Sequence, residues 1–467
     1  MTLAKENFAL NSTSLTNIVF SFFPFSFILG NLIVNLNFLL FCCLGIFHLR
    51  SKILTNKLNF PLKIISLFFL LVLFSTSLNF IESLYFGESD KFDLSRLIKS
   101  ILFLRFFIIL LLVFLLSKFE IINYKLFFTS AAILPVLISI DVIFQYIFGF
   151  NVIGIKNLPR HNPSFFGDEL ISGGYIQNFC FFSILFLTNK IRNKNNLFKI
   201  FLTTFTICIL AIGILLSGNR MPFLLFIFGL FLLFFFVKDL KKILLISFCV
   251  LPIIFGSLIK VDENLKNAQS NFYKYSKRTI VYVSKTLKNN LFSTAQNQKE
   301  IEKKEKMKSK SSFSSSLNDD PEEDAYQKMA FTAFETWKKN KVFGNGIKSF
   351  RVECRKILIE QKKGLCSNHP HNYYLEILAD LGIIGLFLVM GIAYIFMIFL
   401  IRNYKVLKKE NNLENLFLLA AIISLFLEVF PFKSSGSVFS TNNTTYMVLM
   451  GSIILSYKKL LDGKNFR

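Results

Sequence analysis

Two histidines stand on either side of a proline in the stretch His369-Pro370-His371, directly ahead of an apolar helical pattern. A histidine at the start of a helix faces the positive end of the helix dipole, which disfavours imidazolium and favours the neutral, proton-accepting form. His371 is therefore a candidate general base. Neither cysteine nor acidic residues stand at ligand spacing beside the pair, so the sequence predicts no metal site and no cofactor.

A short amphipathic helix is predicted to run from this motif to Gly382. Pro370 suits the first position of a helix, and apolar residues then recur on one face, at Tyr374, Leu375, Leu378 and Leu381. Beyond Gly382 the chain is almost wholly apolar to Leu400. This pattern predicts a helix on the membrane surface, a bend at the glycine and then a membrane span.

Two other polar stretches could contact a substrate. Ser217-Gly218-Asn219-Arg220 predicts a tight turn with an arginine, whose planar fork suits a phosphate or diphosphate; the alternative is that Arg220 snorkels to lipid headgroups. The loop at 150–171 contributes Arg160 and the acidic pair Asp168 and Glu169. Its alternative interpretation is an ordinary polar connection.

Composition assigns these residues to a membrane protein. The chain has 467 residues, of which 53% are hydrophobic and 60 are Phe, and its apolar runs repeatedly reach the roughly 20 residues that cross a bilayer. Because a spanning segment must satisfy its own backbone, the predicted fold class is an all-α polytopic integral membrane protein with about twelve transmembrane helices. The formal net charge of +24 is explained by basic loops on one side, so no nucleic-acid partner is predicted.

The basic loops also predict the orientation. The segments at 48–52, 190–194, 238–242, 402–405 and 458–459 fall on one side when the spans alternate, and the positive-inside rule makes that side cytoplasmic. Both termini are then cytoplasmic, and the His371 motif lies outside. Three regions are expected: a membrane bundle of about nine spans at 1–260, an outer loop at 261–381 and about three further spans at 382–467.

The outer loop is expected to be mainly helical. Residues 298–325 are charged and rich in serine, which predicts a disordered insert. Helical periodicity follows at 326–337 and, more weakly, at 347–359, separated by the turn Phe343-Gly344-Asn345-Gly346. Cys354 and Cys366 are the two cysteines of the loop, and an oxidising exterior favours a disulfide between them; two free thiols are the alternative.

Several stretches of the sequence resemble motifs of a known family. His371-Asn372, nine residues and then Gly382-Ile383-Ile384-Gly385 is similar to the histidine motif of the O-antigen ligase and O-antigen polymerase superfamily, whose architecture resembles GT-C glycosyltransferases. Ser217 to Arg220 resembles the family's SGSR-type turn, and Phe343 to Gly346 resembles its GxG turn. The resemblance covers roughly residues 170–390.

The resemblance implies transfer of an undecaprenyl-diphosphate-linked glycan, on the periplasmic side of the bacterial inner membrane, to a sugar hydroxyl of lipid A-core or of a second lipid-linked glycan. His371 matches the histidine proposed to act on the acceptor hydroxyl, with Asn372 beside it, and Arg220 matches an arginine that holds the diphosphate. Where the family carries a further arginine ahead of the loop helix, this chain has Tyr326-Gln327-Lys328. Lys328 or Arg278 is a candidate substitute.

Four interpretations remain open, and one of them is a non-catalytic scaffold for envelope assembly, in which His371 and Arg220 would be replaceable. The spacing of the histidine motif favours a ligase of lipopolysaccharide biosynthesis, and a polymerase that joins repeat units is the nearest alternative. The charges Arg105, Asp141 and Glu428 within apolar segments should face the bundle interior and would suit a solute transporter. Against transport, no paired interrupted helices are evident in corresponding halves.

Overall fold

The computed structural model describes residues 11–86, 91–261, 321–361, 364–407 and 412–456, with a few isolated positions between 263 and 270. Within these ranges the chain is helical, apart from turns and isolated bridges in the loop at 150–171. Two compact units are present, one formed by 1–251 with 329–467 and the other by 252–328. All contacts described below lie within the first unit.

The helices of the described ranges are numbered in chain order. They are α1 (Ser12–Ser21), α2 (Phe23–Leu29), α3 (Asn31–Leu49), α4 (Lys52–Thr55), α5 (Phe60–Tyr85), α6 (Lys91–Phe103), α7 (Arg105–Lys118), α8 (Tyr124–Phe148), α9 (Ser172–Lys190), α10 (Asn196–Leu216), α11 (Arg220–Phe236), α12 (Lys241–Val261), α13 (Pro321–Lys339), α14 (Phe350–Gln361), α15 (Tyr373–Leu407), α16 (Leu413–Glu428) and α17 (Thr441–Leu455).

Seven helical segments of the described residues are long and apolar enough to cross a membrane, and the bent pair α1 and α2 brings the number to eight. The chain is therefore a helical, polytopic membrane protein. Apolar runs of spanning length at 62–80, 97–117, 126–148 and 199–217 predict membrane spans, and they correspond to α5, to α6 with α7, to α8 and to α10. The apolar sequence from Leu15 to Leu49 is too long for one span, and the break expected near Gly30-Asn31 separates α2 from α3. Helix α11 is apolar but shorter than these spans.

Aromatic side chains fill the centre of the first unit. Helix α9 packs against α8, α10 and α16, and Phe182 of α9 lies 5.7 Å from Phe417 of α16, centroid to centroid. Phe128 of α8 contacts both rings, at 6.0 and 5.2 Å. Rings at these separations gain from edge contacts in addition to their buried area. This core holds α8, α9 and α16 together beneath the loops that carry the candidate site.

The charges expected to face the bundle interior have local partners. Asp141 is buried and accepts hydrogen bonds from the Ser164 hydroxyl, at 2.5 Å, and from the Val152 amide, at 3.1 Å. Arg105 lies over the Phe106 ring, with its guanidinium carbon 4.9 Å from the centroid. Since Asp141 fixes a loop and Arg105 stacks on an aromatic ring, neither contact indicates a solute path.

Two sequence expectations differ from the structure in this region. Helix α13 begins at Pro321, so residues 321–325, expected to end the disordered insert, are helical; residues 298–320 lie outside the described ranges. Helix α15 begins at Tyr373, so Pro370 does not occupy its first turn. An asparagine cap replaces it, because Asn372 Oδ1 accepts hydrogen bonds from the Tyr374 and Leu375 amides at 3.0 and 3.2 Å.

Candidate active site

The bend predicted at Gly382 is present and divides α15 in two. Gly382 has φ 63° and ψ −163°, a conformation that is essentially restricted to glycine. A Cβ there would meet the Val342 carbonyl and the Gly344 amide. Just after the bend, the amides of Ile383 and Ile384 donate hydrogen bonds to the carbonyls of Lys341 and Val342, at 3.0 and 3.3 Å. The bend therefore docks α15 on the turn that follows α13.

Asp380 connects this bend to the start of α14. Its carboxylate is fully buried and accepts hydrogen bonds from the Lys348 amide at 2.6 Å, the Ser349 amide at 3.0 Å and the Ser349 hydroxyl at 2.6 Å. Arg96 of α6 is also buried here and donates to the carbonyls of Asn345 and Ile347. A carboxylate with several donors beside a cation is a stable buried arrangement.

Glu376, one turn before Asp380, fixes the loop between α16 and α17. Its buried carboxylate accepts hydrogen bonds from the Ser437 hydroxyl at 2.6 Å and the Val438 amide at 2.7 Å. Two tyrosines reach the same loop: Tyr373 donates to Glu428 and Tyr374 to the Val429 carbonyl, both at 2.6 Å. The first turns of α15 and the loop at 429–440 are thus one hydrogen-bonded body.

The amphipathicity of this segment agrees with the expectation only in part. Leu381, on the predicted apolar face, is fully buried, but Leu375 and Leu378 are only half-buried. Glu376 and Asp380, by contrast, are 2% and 0% exposed. A helix in a membrane protein can place its polar face inward, because lipid solvates the apolar face. The acidic pair is therefore part of the protein interior.

His371 lies just ahead of this body in a strained backbone conformation. Its φ is 54°, which is uncommon for a residue other than glycine, and the Ser435 amide donates to its carbonyl at 3.0 Å. Its Nε2 is 3.5 Å from the Ser367 hydroxyl. On the other side, Asn372 Nδ2 donates to the Pro431 carbonyl at 2.8 Å. The loop at 429–440 thus holds the histidine turn from both sides.

Both histidines of the motif favour the neutral form. The rings of His369 and His371 are 4.3 Å apart, centroid to centroid. Burial lowers the pKa of His371 below its ordinary value, against a backbone hydrogen bond with Ser435 that raises it. Burial, followed by the nearby His371, lowers the pKa of His369 to about 4. A neutral imidazole can accept a proton at neutral pH, as a general base must.

Arg220 stands at the first position of α11, after the predicted turn. The turn is packed against the loop at 150–171: Asn162 Nδ2 donates to the Leu216 carbonyl at 2.6 Å, and Asn219 Nδ2 donates to the Leu170 carbonyl at 3.0 Å. His161 Nδ1 lies 3.3 Å from the Ser217 carbonyl. Neutral amide contacts therefore fix the turn, and Arg220 itself is half-buried.

The Arg220 turn and the His371 turn lie at the same end of the bundle. The Tyr446 hydroxyl, in the second turn of α17, donates at 2.9 Å to the carbonyl of Asn178, in the second turn of α9. The loop before α17 carries the His371 contacts, and the loop before α9 carries the Arg220 contacts. Because the two helices start side by side, these two loops emerge at the same level.

The remaining predicted contacts differ in their placement. Arg160 is exposed, and its carbonyl oxygen lies so close to Gly218 of the Arg220 turn that a Cβ at Gly218 would meet it. Asp168 and Glu169 are exposed on the same loop. Lys328 is half-buried in α13, within the second unit, and Arg278 lies outside the described residues. A role in substrate binding stays a prediction for all four and for Asn372, whose amide already caps α15.

Cys354 and Cys366 form a disulfide with a Cα–Cα distance of 5.2 Å. Cys354 is buried in α14, and Cys366 stands five residues before His371. The bond therefore ties the segment that carries the histidine pair to α14, whose first turn is fixed in turn by Asp380.

Several residues of this region were not identified from the sequence. Glu376, Asp380, Arg96 and Ser349 have no distinctive motif, and Ser349 and Arg96 come from distant parts of the chain. One signal was available: Glu376 and Asp380 are four residues apart, which places both on one face of a helix.

Residues 205–390 match the model of the O-antigen ligase family. The matched segment includes both Arg220 and His371, together with the disulfide and the bend at Gly382. A comparison with curated proteins gave no match. The resemblance carried by the histidine motif is thus confirmed, since residues 205–390 match the model of the O-antigen ligase family.

Proposed function

We propose that the protein is a ligase-like glycosyltransferase that moves a glycan from undecaprenyl diphosphate to a sugar hydroxyl of lipid A-core or a similar acceptor. The observation that carries the proposal is the placement of His371 and Arg220 at one end of a helical bundle, within the segment that matches the family. The helical membrane body supplies the environment that a polyprenyl donor requires.

In the proposed reaction the acceptor oxygen attacks the anomeric carbon of the donor, and the bond from that carbon to the diphosphate breaks with inversion. His371 takes the proton of the acceptor hydroxyl as the new bond forms. Arg220 stabilises the charge that develops on the departing diphosphate. Undecaprenyl diphosphate leaves with the bonding electrons, so the reaction needs no nucleotide or metal ion.

The number of membrane spans and their orientation are part of the same proposal. About twelve spans in a GT-C-like arrangement, with both termini in the cytoplasm, would place the histidine motif and its loop in the periplasm of a bacterial inner-membrane protein. The basic loops support this orientation. Helices α9, α11, α16 and α17 are the segments that would complete the set of spans.

The test is complementation of a strain that has lost its own ligase but makes a compatible lipid-linked glycan. We expect the wild-type chain to cap lipid A-core, and we expect His371→Asn and Arg220→Gln to lose at least about a hundredfold in transfer, because a base and a charge clamp each contribute on this scale. Asparagine is chosen at 371 because it tolerates a positive φ. Lipopolysaccharide gels and mass spectrometry provide the measurement.

Two control variants remove the same residue types elsewhere. His48 bonds to Thr16 at the end of α3, with Nε2 3.1 Å from the hydroxyl, and Arg50 follows that helix with its guanidinium over the Phe47 ring. His48→Asn and Arg50→Gln should retain transfer. Longer lipid-linked chains without capped core would instead identify a polymerase. Unchanged lipid pools, with verified expression, would contradict both forms of the proposal.

A further inference from the structure

A cavity of about 570 Å³ lies beside the histidine motif and is lined by Arg351, Val352, Cys354, Arg355, Cys366, Ser367 and Asn368. Small-molecule sites occupy about 300–1,000 Å³. The disulfide forms part of the wall, because it ties the segment at 366–368 to α14. The cavity is therefore bounded by a covalently fixed frame.

The polar lining of this cavity is cationic. Arg351 and Arg355 are four residues apart and share one face of α14. Glu353, on the same helix, is already paired with Lys339 at 2.5 Å and with Lys356 at 3.7 Å. Within the described ranges, none of the lining residues is acidic. The two guanidinium groups therefore lack a carboxylate in the wall that would neutralise them.

Arg351 also has unused hydrogen-bonding capacity. Among the described residues, its Nε is buried without a hydrogen-bond partner, although a buried donor normally has one. More positive charge lies nearby: burial lowers the pKa of Lys348, and the charges of Arg351 and Lys99 lower it further, although Glu376 and Asp380 act in the opposite direction. A bound anion would satisfy the free donor and relieve this repulsion.

The cavity adjoins the proposed base. Ser367 lines it, and the Ser367 hydroxyl is 3.5 Å from His371 Nε2. A group held by Arg351 and Arg355 would thus be bound beside the serine that contacts His371. Arg220 lies on α11, so this cationic pair is a different element from the proposed diphosphate clamp.

We propose that this cavity is an anion subsite in which Arg351 and Arg355 hold a phosphate or carboxylate group of a saccharide substrate. The identity of that substrate rests on the proposed function, whereas the binding itself does not. The group has two possible sources, a charged sugar of the acceptor or the phosphate-bearing end of the donor. The chemistry of recognition is the same in both.

The first test measures binding without transfer, on the full-length protein in detergent, by titration with glucose 6-phosphate, glucuronate and glucose. We expect both anionic sugars to bind at least about tenfold more tightly than glucose, because charge-assisted hydrogen bonds exceed neutral ones in strength. Arg351→Lys keeps the positive charge but loses the two parallel N–H donors of the guanidinium group, so it should weaken binding in part. Arg355→Gln changes an exposed side chain and should remove most of the preference.

Lys356→Gln is the matched control, since it removes one positive charge from the same helix at a residue that does not line the cavity. It should bind like the wild type, and so should His371→Asn, in which transfer is expected to be lost. Equal affinity for glucose and its anionic forms would overturn the proposal. So would an equal loss in Lys356→Gln and Arg355→Gln, because general surface charge would then explain the preference.

The second test assigns the source of the anion with acceptors that carry or lack a phosphate. If Arg355→Gln reduces transfer to the phosphorylated acceptor alone, the anion belongs to the acceptor. If it reduces transfer to both equally, with the titration results intact, the anion belongs to the donor. Failure of the proposed function would remove transfer in every variant but leave the titrations unchanged, so the two failures are distinguishable.

Discussion

The His371 turn and the Arg220 turn each carry one candidate catalytic side chain at the same end of the bundle, but they are held by different chemistry. Buried carboxylates hold the first, through Asp380, Glu376 and Glu428. Neutral amides hold the second, through Asn162 and Asn219. Charged hydrogen bonds in a buried setting are stronger, and breaking them leaves a larger desolvation penalty. His371, the proposed base, is therefore expected to be positioned more rigidly than Arg220, the proposed clamp.

The largest expected effect comes from Asp380. In Asp380→Asn one of the two oxygens becomes an NH₂ group, which accepts no hydrogen bond, so either the Lys348 amide or the Ser349 donors lose their acceptor. We expect a loss of about 3–5 kcal/mol in the free energy of unfolding, as for a broken buried ionic network. Thermal and denaturant unfolding in detergent would measure it. Asp168→Asn, at an exposed position, should be neutral; similar losses in both would contradict the contrast.

The ion pair between Lys433 and Glu428 tests the loop that holds His371. Lys433 Nζ lies 2.5 Å from Glu428 Oε2, and both side chains are buried. Lys433→Met leaves Glu428 uncompensated and should cost about 3 kcal/mol. Adding Glu428→Gln should recover most of that stability, because the neutral amide can still accept from Tyr373. A double variant no more stable than Lys433→Met alone would refute this explanation.

A matched pair of glycine substitutions compares the backbones of the two turns. Gly382 and Gly218 both have positive φ, 63° and 84°. A Cβ at Gly382 meets backbone atoms of Val342 and Gly344, whereas one at Gly218 meets the Arg160 carbonyl of an exposed loop and the His161 ring. Gly382→Ala should therefore cost more than the roughly 1–3 kcal/mol of backbone strain expected at Gly218. Unfolding of both variants side by side gives the difference, and equal costs would show that the Gly382 bend can shift.

The smallest expected effect is a displaced pH profile. Because the pKa of His371 is lowered by burial, transfer should persist below the ordinary imidazole pKa of about 6.5 and fall only at lower pH. The lowered pKa also makes the free energy of unfolding depend on pH. As the pH falls, the unfolded chain binds a proton at His371 before the folded chain does, so this contribution to stability is complete above about pH 6.5 and decreases at lower pH. Transfer rates in vitro between pH 4.5 and 8 would measure the midpoint, and a midpoint above 6.5 would contradict the lowered pKa.

His369 provides the control for that profile. Its pKa is lowered to about 4, so it is neutral above about pH 5. His369→Asn should therefore leave the shape of the profile above pH 5 unchanged, although the rate can differ. If His369→Asn changes the shape of the pH profile, His369 rather than His371 would be the base.

Local sequence determined the helices, the break at Gly30, the bend at Gly382 and the turn at 343–346. Each depends on interactions within a few residues: apolar runs of spanning length, or a glycine where the chain turns. The pairing of Cys354 with Cys366 was also accessible, because the two cysteines are close in sequence and stand in a loop that the basic segments predict to be exported. The family motif located His371 and Arg220 without any three-dimensional information.

Only the tertiary structure decided what surrounds those residues. The carbonyl of Asp380 accepts from Ser75, 305 positions away, and Arg96 donates to Ile347, 251 positions away. Hydrophobic periodicity reports which face of a helix is apolar, but in a membrane protein lipid can cover that face as well as the core can. The burial of Glu376 and Asp380 therefore depended on where their distant donors lie, which no local pattern encodes.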